Sequence, residues 1–333
     1  KAATTFNRSR SFRLIRSSIL VLLPATRPER GQFYFAETGH YHFAATGCLA
    51  SLPSPAATVI LSAWGAGDNA FLWRAGGAGL GMRILATNDD GIMAPGLVAI
   101  RRALAGLGEV TVVAPTTSQS AVGHSISLTE PVLCHRMDLG DGVVGFGIEG
   151  SPADCVKLAL LELLPERPDL VVSGLNLGAN VGINVLYSGT VAAAVEGAFY
   201  GVPSAAVSLE DGEAVDFDAG AGVAQRLIEQ FIAGRPERGA LLNINIPDLS
   251  AGPPKGVKVV PQSMKGWREK WDGRRDPRGR TYYWITGDPQ AEDEGAETDV
   301  SALAARYVTV TPLQWDLTDH ARLDDVRKWD LRL

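Results

Sequence analysis

A strand-like run that ends in two adjacent carboxylates constrains the fold of this chain more than any other feature. Residues 83–87 have strand character. Asp89 and Asp90 come shortly after them, immediately before Gly91. Pro95 then opens an amphipathic helix. A buried strand, a polar tip and a helix form the first unit of an open α/β sheet. In such sheets, ligands bind beyond the carboxyl ends of the strands, where the order of winding reverses.

Asp89 and Asp90 also indicate a metal site. Two fixed negative charges at one strand tip repel each other unless a cation lies beside them. Carboxylate oxygens suit Mg²⁺, Mn²⁺ or Ca²⁺ better than a soft metal. Because carboxylates at loop tips are common, the pair acquires specificity only in combination with further ligands.

Strand and helix patterns alternate through most of the chain after residue 82. Strands are predicted at 109–114, 169–173, 203–209, 241–246 and 307–311, with shorter runs at 125–128, 132–136 and 143–148. Helices are predicted from residues 95 and 151, at 191–200, within 217–233 and near 323–329. This alternation predicts an α/β fold with a three-layer, mostly parallel, Rossmann-like sheet.

Residues from about 255 to 300 interrupt this alternation. A basic segment containing Trp271 is followed by a strand-like aromatic run, Tyr282 to Trp284, and then by an acidic stretch. The pattern predicts an extended β-hairpin arm whose aromatic side chains would suit a subunit interface. A solvated surface excursion is the alternative.

Residues 1–81 differ in charge from the rest of the chain. They contain eight Lys and Arg against three Asp and Glu, whereas the remainder contains 23 basic and 34 acidic residues. Arginines precede a short apolar run at 19–23, as in a weak signal or transit peptide, but a membrane helix needs about 20 apolar residues. We expect residues 1–81 to be an N-terminal extension outside the fold, and residues 82–333 to form the folded domain.

Charge and cysteine content exclude several classes of function. The acidic remainder argues against binding to a nucleic acid polymer, which depends on basic residues that neutralise phosphates. Cys48, Cys134 and Cys155 are far apart, without a CxxC motif or a His/Cys cluster. This pattern indicates a reducing compartment and no zinc site. We expect a cytoplasmic protein without a membrane span.

Oxygen-bearing side chains follow three of the predicted strands. They are the Asp89/Asp90 pair, Ser120 in a hydroxyl-rich loop, and Asn176 after the strand at 169–173. Parallel strands place their carboxyl ends at one edge of a sheet, so these groups are expected to converge. Two carboxylates, a hydroxyl and an amide oxygen make a plausible site for Mg²⁺ or Mn²⁺, which polarises phosphoryl oxygens.

Ser188, Gly189 and Thr190 stand at the start of a predicted helix and suit phosphate binding. A helix N-terminus presents free N–H groups and a partial positive charge to an anion. The structural alternative is that Ser188 or Thr190 is only an N-cap. His124 follows the Ser120 loop and is a candidate general acid for a leaving alkoxide, although a lone histidine has a structural alternative too.

Taken together, these motifs resemble those of the SurE family (survival protein E, 5′/3′-nucleotidase). The resemblance covers essentially residues 82–333 and follows the order of the family's motifs. The matching segments lie at 82–96, 113–115, 124–125, 150–155, 172–176, 187–190, 243–247 and 307–312. Residues 1–81 have no counterpart in it.

The resemblance implies a metal-dependent phosphatase that acts on nucleoside 5′- and 3′-monophosphates, with some members acting on short polyphosphate. By position, the family's metal ligands fall on Asp89, Asp90, Ser120 and Asn176, around one Mg²⁺ or Mn²⁺ ion. Asp89 is also a candidate nucleophile, with water as the alternative. A homodimer or homotetramer formed through the hairpin and the C-terminal segment is implied as well.

One loop departs from the family's pattern. That loop usually reads like Asp-Arg-Asn-x-Ser-Gly, whereas residues 116–121 read Thr-Thr-Ser-Gln-Ser-Ala and retain only the serine, Ser120. The alternative function is therefore a non-catalytic nucleotide-binding module with the same fold. Glycosyl transfer is a rival enzyme class. Enzymes of that class typically bind their metal with an Asp-x-Asp motif, whereas Asp89 and Asp90 are adjacent, which argues against it.

Overall fold

The computed structural model of the chain describes residues 81–264, 268–288 and 297–333. The prediction for residues 1–81 therefore falls, apart from Gly81, outside the described residues. So does much of the acidic stretch at the end of the predicted arm. Within the described part, no helix is both long enough and apolar enough to cross a membrane.

Eleven strands and seven α-helices lie in the described ranges. The strands are β1 (Met82–Thr87), β2 (Gly108–Pro115), β3 (Leu133–Asp138), β4 (Val144–Glu149), β5 (Leu170–Leu177), β6 (Ser204–Leu209), β7 (Leu241–Ile246), β8 (Val257–Val259), β9 (Arg268–Arg275), β10 (Thr281–Asp288) and β11 (Val308–Leu313). The helices are α1 (Pro95–Leu104), α2 (Pro152–Leu158), α3 (Asn184–Tyr187), α4 (Gly189–Phe199), α5 (Phe217–Ala233), α6 (Asp299–Ala304) and α7 (Leu323–Arg327), and a π-helical turn (Ala159–Leu163) continues α2.

Nine strands form one sheet in the order β3-β4-β2-β1-β5-β6-β7-β11-β8. From β4 to β7 all neighbours are parallel, whereas β3 and β11 run antiparallel to β4 and β7. The chain moves from β1 to β2 on one side and later returns to β5 on the other, so the winding reverses between β1 and β5. The predicted mostly parallel α/β sheet is confirmed.

Helices cover both faces of this sheet. Helices α1 and α5 pack against each other over one face, and α2 and α4 do so over the other. The first core includes Leu97 and Ile100 of α1 with Ile228 of α5, and the second includes Val156 of α2 with Ala193 of α4. Burial of these apolar residues on both faces explains why the central strands have continuous apolar sequences.

Several helix starts follow from local sequence. The Ser151 hydroxyl accepts from the Asp154 N–H while the Asp154 carboxylate accepts from the Ser151 N–H, which is a capping box. Asp216 caps α5 through the Ala219 N–H. These caps satisfy N–H groups that the helix itself leaves without partners. The predicted N-cap at Ser151 is confirmed.

Two local predictions differ from the structure. Residues 125–128 do not form a strand, because Ser127 donates from its N–H and its hydroxyl to the Asp154 carboxylate and the Ser125 carbonyl accepts from the Ser151 hydroxyl. The arm spans fewer residues than the predicted range of about 255 to 300. Only β9 and β10 form the separate antiparallel hairpin, since β8 pairs with β11 in the main sheet.

Candidate active site

The carboxyl ends of three adjacent parallel strands meet at the candidate site. β1 lies between β2 and β5, and all three run in the same direction. Asp89 and Asp90 follow β1, Ser120 follows β2, and Asn176 lies near the end of β5. The topology therefore brings the four predicted metal ligands to one edge of the sheet, beside the point where the winding reverses.

Asp89 is the most buried carboxylate of this edge, with 6% of its surface exposed. Its Oδ1 accepts a hydrogen bond from Thr190 Oγ1. Burial raises the pKa of Asp89 to about 6, and the nearby charge of Asp90 acts in the same direction, against the hydrogen bond from Thr190. The negative charge of Asp89 is therefore energetically unfavourable in this buried place, and a neighbouring positive charge would offset that penalty.

Asp90 and Asn176 are linked through the end of β5. Burial raises the pKa of Asp90, while a hydrogen bond from the Leu177 N–H lowers it. Asn176 immediately precedes Leu177, and its amide nitrogen donates to the Gly178 carbonyl at 2.6 Å. That bond uses the nitrogen of the amide and leaves its oxygen available as a ligand. The pairing of β5 with β6 shifts register between Ser173 and Asn176, which re-aims this stretch at the sheet edge.

The Ser120 loop is fixed to the Asp89 tip by its backbone. The Gln119 N–H donates to the Asp89 carbonyl at 2.7 Å, and the hydroxyl oxygens of Ser118 and Ser120 lie 3.1 Å apart. Ala121 has a φ of 59°, a left-handed conformation that favours glycine. The glycine of the family's pattern at this position would suit such a conformation better than alanine does.

A cavity of about 550 Å³ opens beside Asp89. This volume is in the range of small-molecule sites. The cavity is lined by residues from four separate stretches of the chain (89, 120–121, 180–188 and 285–286), namely Asp89, Ser120, Ala121, Asn180, Asn184, Tyr187, Ser188, Ile285 and Thr286. Of the four predicted metal ligands, Asp89 and Ser120 line the cavity, whereas Asp90 and Asn176 lie next to it along the sheet edge.

The donor atoms at this edge fit a hard divalent cation. Two carboxylates, a hydroxyl and an amide oxygen are all oxygen ligands, as Mg²⁺ and Mn²⁺ prefer. Both carboxyl pKa values are raised by burial, so an ion would offset an unfavourable negative charge. Among the described residues no group of three or more His, Cys, Asp or Glu could hold a metal. An ion at this edge would therefore rely on neutral oxygens in addition to Asp89 and Asp90.

The N-terminus of α4 also lies at this edge of the sheet, next to Asp89. The Ser188 hydroxyl accepts from the Val191 N–H, so Ser188 is the N-cap, and it also lines the cavity. A Cβ on Gly189 would lie 2.8 Å from the Cβ of Asp89, so only glycine permits this approach. Thr190, which is buried, is bonded to Asp89 and does not line the cavity. Of the three predicted phosphate-binding residues, Ser188 faces the cavity, Gly189 lets the helix approach, and Thr190 orients Asp89.

The structure does not bring His124 into this cavity. Its Nε2 lies 2.7 Å from Glu196 Oε2 on α4, and Glu196 Oε1 lies 2.9 Å from Lys157 Nζ on α2. Although burial raises the pKa of Glu196, the hydrogen bonds from His124 and Lys157 outweigh it and hold that pKa below its ordinary value. The contacts of His124 thus connect the Ser120 loop to α4.

Sequence reasoning assigned no site role to six residues that line the cavity, namely Ala121, Asn180, Asn184, Tyr187, Ile285 and Thr286. A signal for Asn180 exists in the strand β7, where two asparagines, Asn243 and Asn245, stand in an otherwise apolar run. Both are buried, and their side-chain nitrogens donate to the Asn180 carbonyl. No local pattern signals Ile285 or Thr286, because only the folding-back of the arm places them here.

A family model described as Survival protein SurE matches residues 84–269, more than half of the chain. The chain belongs to the SurE family. The resemblance noted from sequence motifs is thereby confirmed, and the candidate site lies within the matched region except for part of the arm.

Individual proteins support membership of the SurE family over the whole length of the relatives. A protein of Rhodopirellula baltica named 5′-nucleotidase SurE is 49% identical over 256 residues, which are 75% of this chain and 100% of that protein. One of the same name from Chloroflexus aggregans is 48% identical, over 75% of this chain and 99% of that protein. The crystal structure of the SurE protein from Aquifex aeolicus shares 38% identity and a TM-score of 0.65, over 74% of this chain and 98% of that one.

Proposed function

We propose that this chain is a divalent-metal-dependent phosphomonoesterase that hydrolyses nucleoside 5′- and 3′-monophosphates to nucleoside and phosphate. The observation that carries the proposal is the convergence of Asp89, Ser120 and Ser188 on one cavity at the reversal point of the sheet. The names of the relatives, 5′-nucleotidase SurE, support the same reaction class and an enzymatic function.

In this proposal, Asp89, Asp90, Ser120 and Asn176 hold one Mg²⁺ or Mn²⁺ ion. The ion, when bound, neutralises negative charge and polarises a phosphoryl oxygen. Thr190 holds the Asp89 carboxylate in one orientation through its hydroxyl. The rigid strand ends fix the spacing between the ligands, which preorganises the site before substrate arrives.

The start of α4 is the proposed phosphate-binding element. Its N-terminal dipole favours an anion, and the Ser188 hydroxyl, which accepts from Val191, still has its own proton to donate to a phosphate oxygen. Ser188 lies on the cavity wall. A phosphate ester held there would lie beside the Asp89 carboxylate and the Ser120 loop.

Two nucleophiles are compatible with this arrangement, a water molecule and Asp89 itself. They predict different intermediates, because an aspartyl-phosphate forms only if Asp89 attacks phosphorus. Rapid acid quench with ³²P-labelled nucleotide, followed by mass analysis of the Asp89 peptide, distinguishes the two routes.

A non-catalytic nucleotide-binding module is the second candidate function. The Ser120 loop favours it, since residues 116–121 have lost the Arg, the Asn and the Gly of the family's pattern. The retained Ser120, which lines the cavity beside Asp89, favours the enzymatic function.

Phosphate release from a panel of nucleoside monophosphates tests the proposal. We expect release by the wild-type chain with Mg²⁺ or Mn²⁺, and its loss both with EDTA and in Asp89→Asn. Nucleotide binding without phosphate release would support the non-catalytic module. Release that neither EDTA nor Asp89→Asn affects would exclude the metal-dependent reaction.

The remaining parts of the proposal concern location and assembly. We propose a homodimer or homotetramer formed through β9, β10 and the C-terminal segment, where exposed aromatic residues such as Trp271 and Trp329 lie. We propose a cytoplasmic location, with which the free thiols of Cys134 and Cys155 are compatible. We also propose that residues 1–81 are dispensable for activity, which a chain lacking them would test directly.

A further inference from the structure

The hairpin arm contributes two residues, Ile285 and Thr286, to the wall of the cavity that contains Asp89. Ile285 is 58% exposed, and Tyr187, the other large side chain with an apolar face in this wall, is 51% exposed. Side chains of this kind that remain open in a cavity indicate a ligand with an apolar face of its own.

The size of the cavity supports the same interpretation. A phosphate group alone is too small to fill about 550 Å³, so the cavity has room for the alcohol part of a phosphate ester. Asn180 and Asn184 both line the wall. The Asn180 side-chain nitrogen donates to Ser208 Oγ at 2.8 Å, so the amide oxygen of Asn180 and the amide of Asn184 remain to bond the hydroxyls of a sugar. A nucleoside combines both requirements, because it has a polar ribose and a flat base with apolar faces.

The residues on either side of the arm are hydrogen-bonded to the loop between β5 and α3, which contains Asn180. Asp299, which is completely buried, accepts from the Gly182 N–H at 2.9 Å and from the Ser263 N–H at 2.7 Å. The Gln262 side chain donates to the Gly182 carbonyl at 2.7 Å. Residues 262–263 precede the arm and Asp299 follows it, so both of its ends are tied to the loop between β5 and α3.

Within the arm, Ile285 is better placed than Thr286 to contact a ligand through an apolar surface. The Thr286 hydroxyl donates to the Lys270 carbonyl on the partner strand at 3.1 Å, so it stabilises the hairpin itself. Trp284, the preceding residue, is 59% exposed, nearly the same as Ile285, but does not line the cavity. This difference between neighbours gives a matched control.

We propose that Ile285, together with Tyr187, forms the surface on which the nucleobase of the substrate packs, and that Ile285 is a specificity-determining residue. The arm thereby selects nucleoside monophosphates over phosphate esters without a base. This inference rests on the proposed nucleotidase function and adds to it the part of the substrate that the arm recognises.

The test compares AMP with ribose 5-phosphate, which differs from AMP by the base alone. KM and kcat are measured for AMP, and ribose 5-phosphate is measured both as a substrate and as a competitor of AMP hydrolysis. For Ile285→Ala we expect KM for AMP to rise roughly fivefold to tenfold, from lost apolar contact, with kcat within about twofold. The inhibition constant of ribose 5-phosphate should stay within about twofold, while Trp284→Ala should retain wild-type values for both compounds.

Equal weakening of AMP and ribose 5-phosphate in Ile285→Ala, or no change in either, would overturn the assignment of Ile285 to the base. The same effect from Trp284→Ala would also overturn it, because that side chain lies outside the cavity wall. Wild-type protein that hydrolyses none of the nucleotides would instead overturn the proposed function, and with it this inference.

Discussion

Thr190 donates a hydrogen bond from its side-chain hydroxyl to the carboxylate of Asp89. The two residues are 101 positions apart in the chain, and both are buried. Thr190 is in the first turn of α4, so the helix directs its N-terminal dipole at the carboxylate. Asp89 therefore keeps its negative charge in a buried place because α4 begins there.

Replacing Thr190 by valine should remove the hydroxyl while keeping the shape of the side chain. We expect kcat/KM for AMP to fall by about ten- to one-hundredfold, since hydrogen bonds to charged groups contribute ~1.5–3 kcal/mol. Thr190→Ser retains a hydroxyl and should keep at least a third of wild-type kcat/KM. Steady-state kinetics at saturating Mn²⁺ measures both, and equal losses in the two variants would assign the effect to packing.

The raised pKa of Asp89 predicts how the stability of the metal-free protein changes with pH. The folded-state pKa of about 6 lies above the ordinary value of 3.8, so the protonated carboxyl favours the folded state. This contribution is fully present below pH 3.8 and is lost as pH rises through about 6. The loss amounts to ~3 kcal/mol of unfolding free energy for a shift of this size.

Asp89→Asn should abolish that loss in the presence of EDTA. Urea unfolding at pH 5 and pH 8 measures about half of it, because the carboxyl of the unfolded chain is already ionised at pH 5. We expect the variant to exceed the wild type in stability at pH 8. Added Mn²⁺ should raise the melting temperature of the wild type and leave Asp89→Asn nearly unchanged. Identical pH dependence in the two proteins would show that the charge of Asp89 is already compensated without metal.

Asn245 fixes the backbone of Asn180 in the cavity wall. Its side chain accepts from the Asn180 N–H at 2.8 Å and donates to the Asn180 carbonyl at 3.2 Å, deep in the sheet. Asn245→Leu should lower the unfolding free energy by about 2–4 kcal/mol, because buried polar groups lose their partners. It should also raise KM for AMP, since the wall residue Asn180 loses its support.

Thr309 is a matched control for Asn245. It faces Asn245 across the strand pair β7–β11, is fully buried, and its hydroxyl has no hydrogen-bond partner among the residues that the structure describes. Thr309→Val should therefore leave stability unchanged or raise it. Denaturant unfolding of both variants checks the pair, and a comparable loss in Thr309→Val would contradict the specific role of Asn245.

His124 provides a test of the general-acid hypothesis. A general acid contributes about 10²–10⁴ to the rate, whereas the His124 side chain, 41% exposed, bonds to Glu196 outside the cavity wall. We expect His124→Gln to lower kcat by less than about tenfold and the unfolding free energy by about 1 kcal/mol. A loss of kcat of one-hundredfold or more, with unchanged stability, would restore His124 as the acid.

Ala121→Gly should stabilise the folded protein at the divergent loop. Its φ of 59° costs an L-residue about 1 kcal/mol or more, which glycine avoids. Glycine loses more backbone entropy on folding, so the net gain in unfolding free energy from Ala121→Gly should be only ~0.5 kcal/mol. Thermal unfolding measures it, and Ala105, an exposed residue with a φ of −58° at the end of α1, is the control position. Ala105→Gly should lower the melting temperature, because glycine there relieves no backbone strain.

Local signals predicted the parts of the fold that depend on neighbouring residues. The N-caps Ser151 and Ser188, the strand β7 and the helix α5 lie where their patterns place them, because caps and periodicity act over a few residues. Residues 125–128 show the limit of such signals. They alternate as a strand does, but hydrogen bonds to Asp154 on α2 determine their conformation.

The candidate site was predictable at the strand ends and unpredictable in the cavity wall. Asp89, Ser120 and Asn176 follow strands whose parallel order brings them together, and that order follows from the alternation of strands and helices. Ile285 reaches the same cavity from the arm, which lies more than 100 residues further along the chain. Such an approach depends on long-range contacts like that of Gly182 with Asp299, which no local pattern encodes.

The strands β9 and β10 pair only with each other and take no part in the nine-stranded sheet. A change of length or sequence in the arm therefore leaves the hydrogen-bonded framework around Asp89 intact. The part of the cavity wall that the arm supplies can therefore change without altering the strand ends that carry Asp89 and Ser120. For protein engineering, grafting arms between relatives is the natural route to new substrate ranges on a common hydrolytic scaffold.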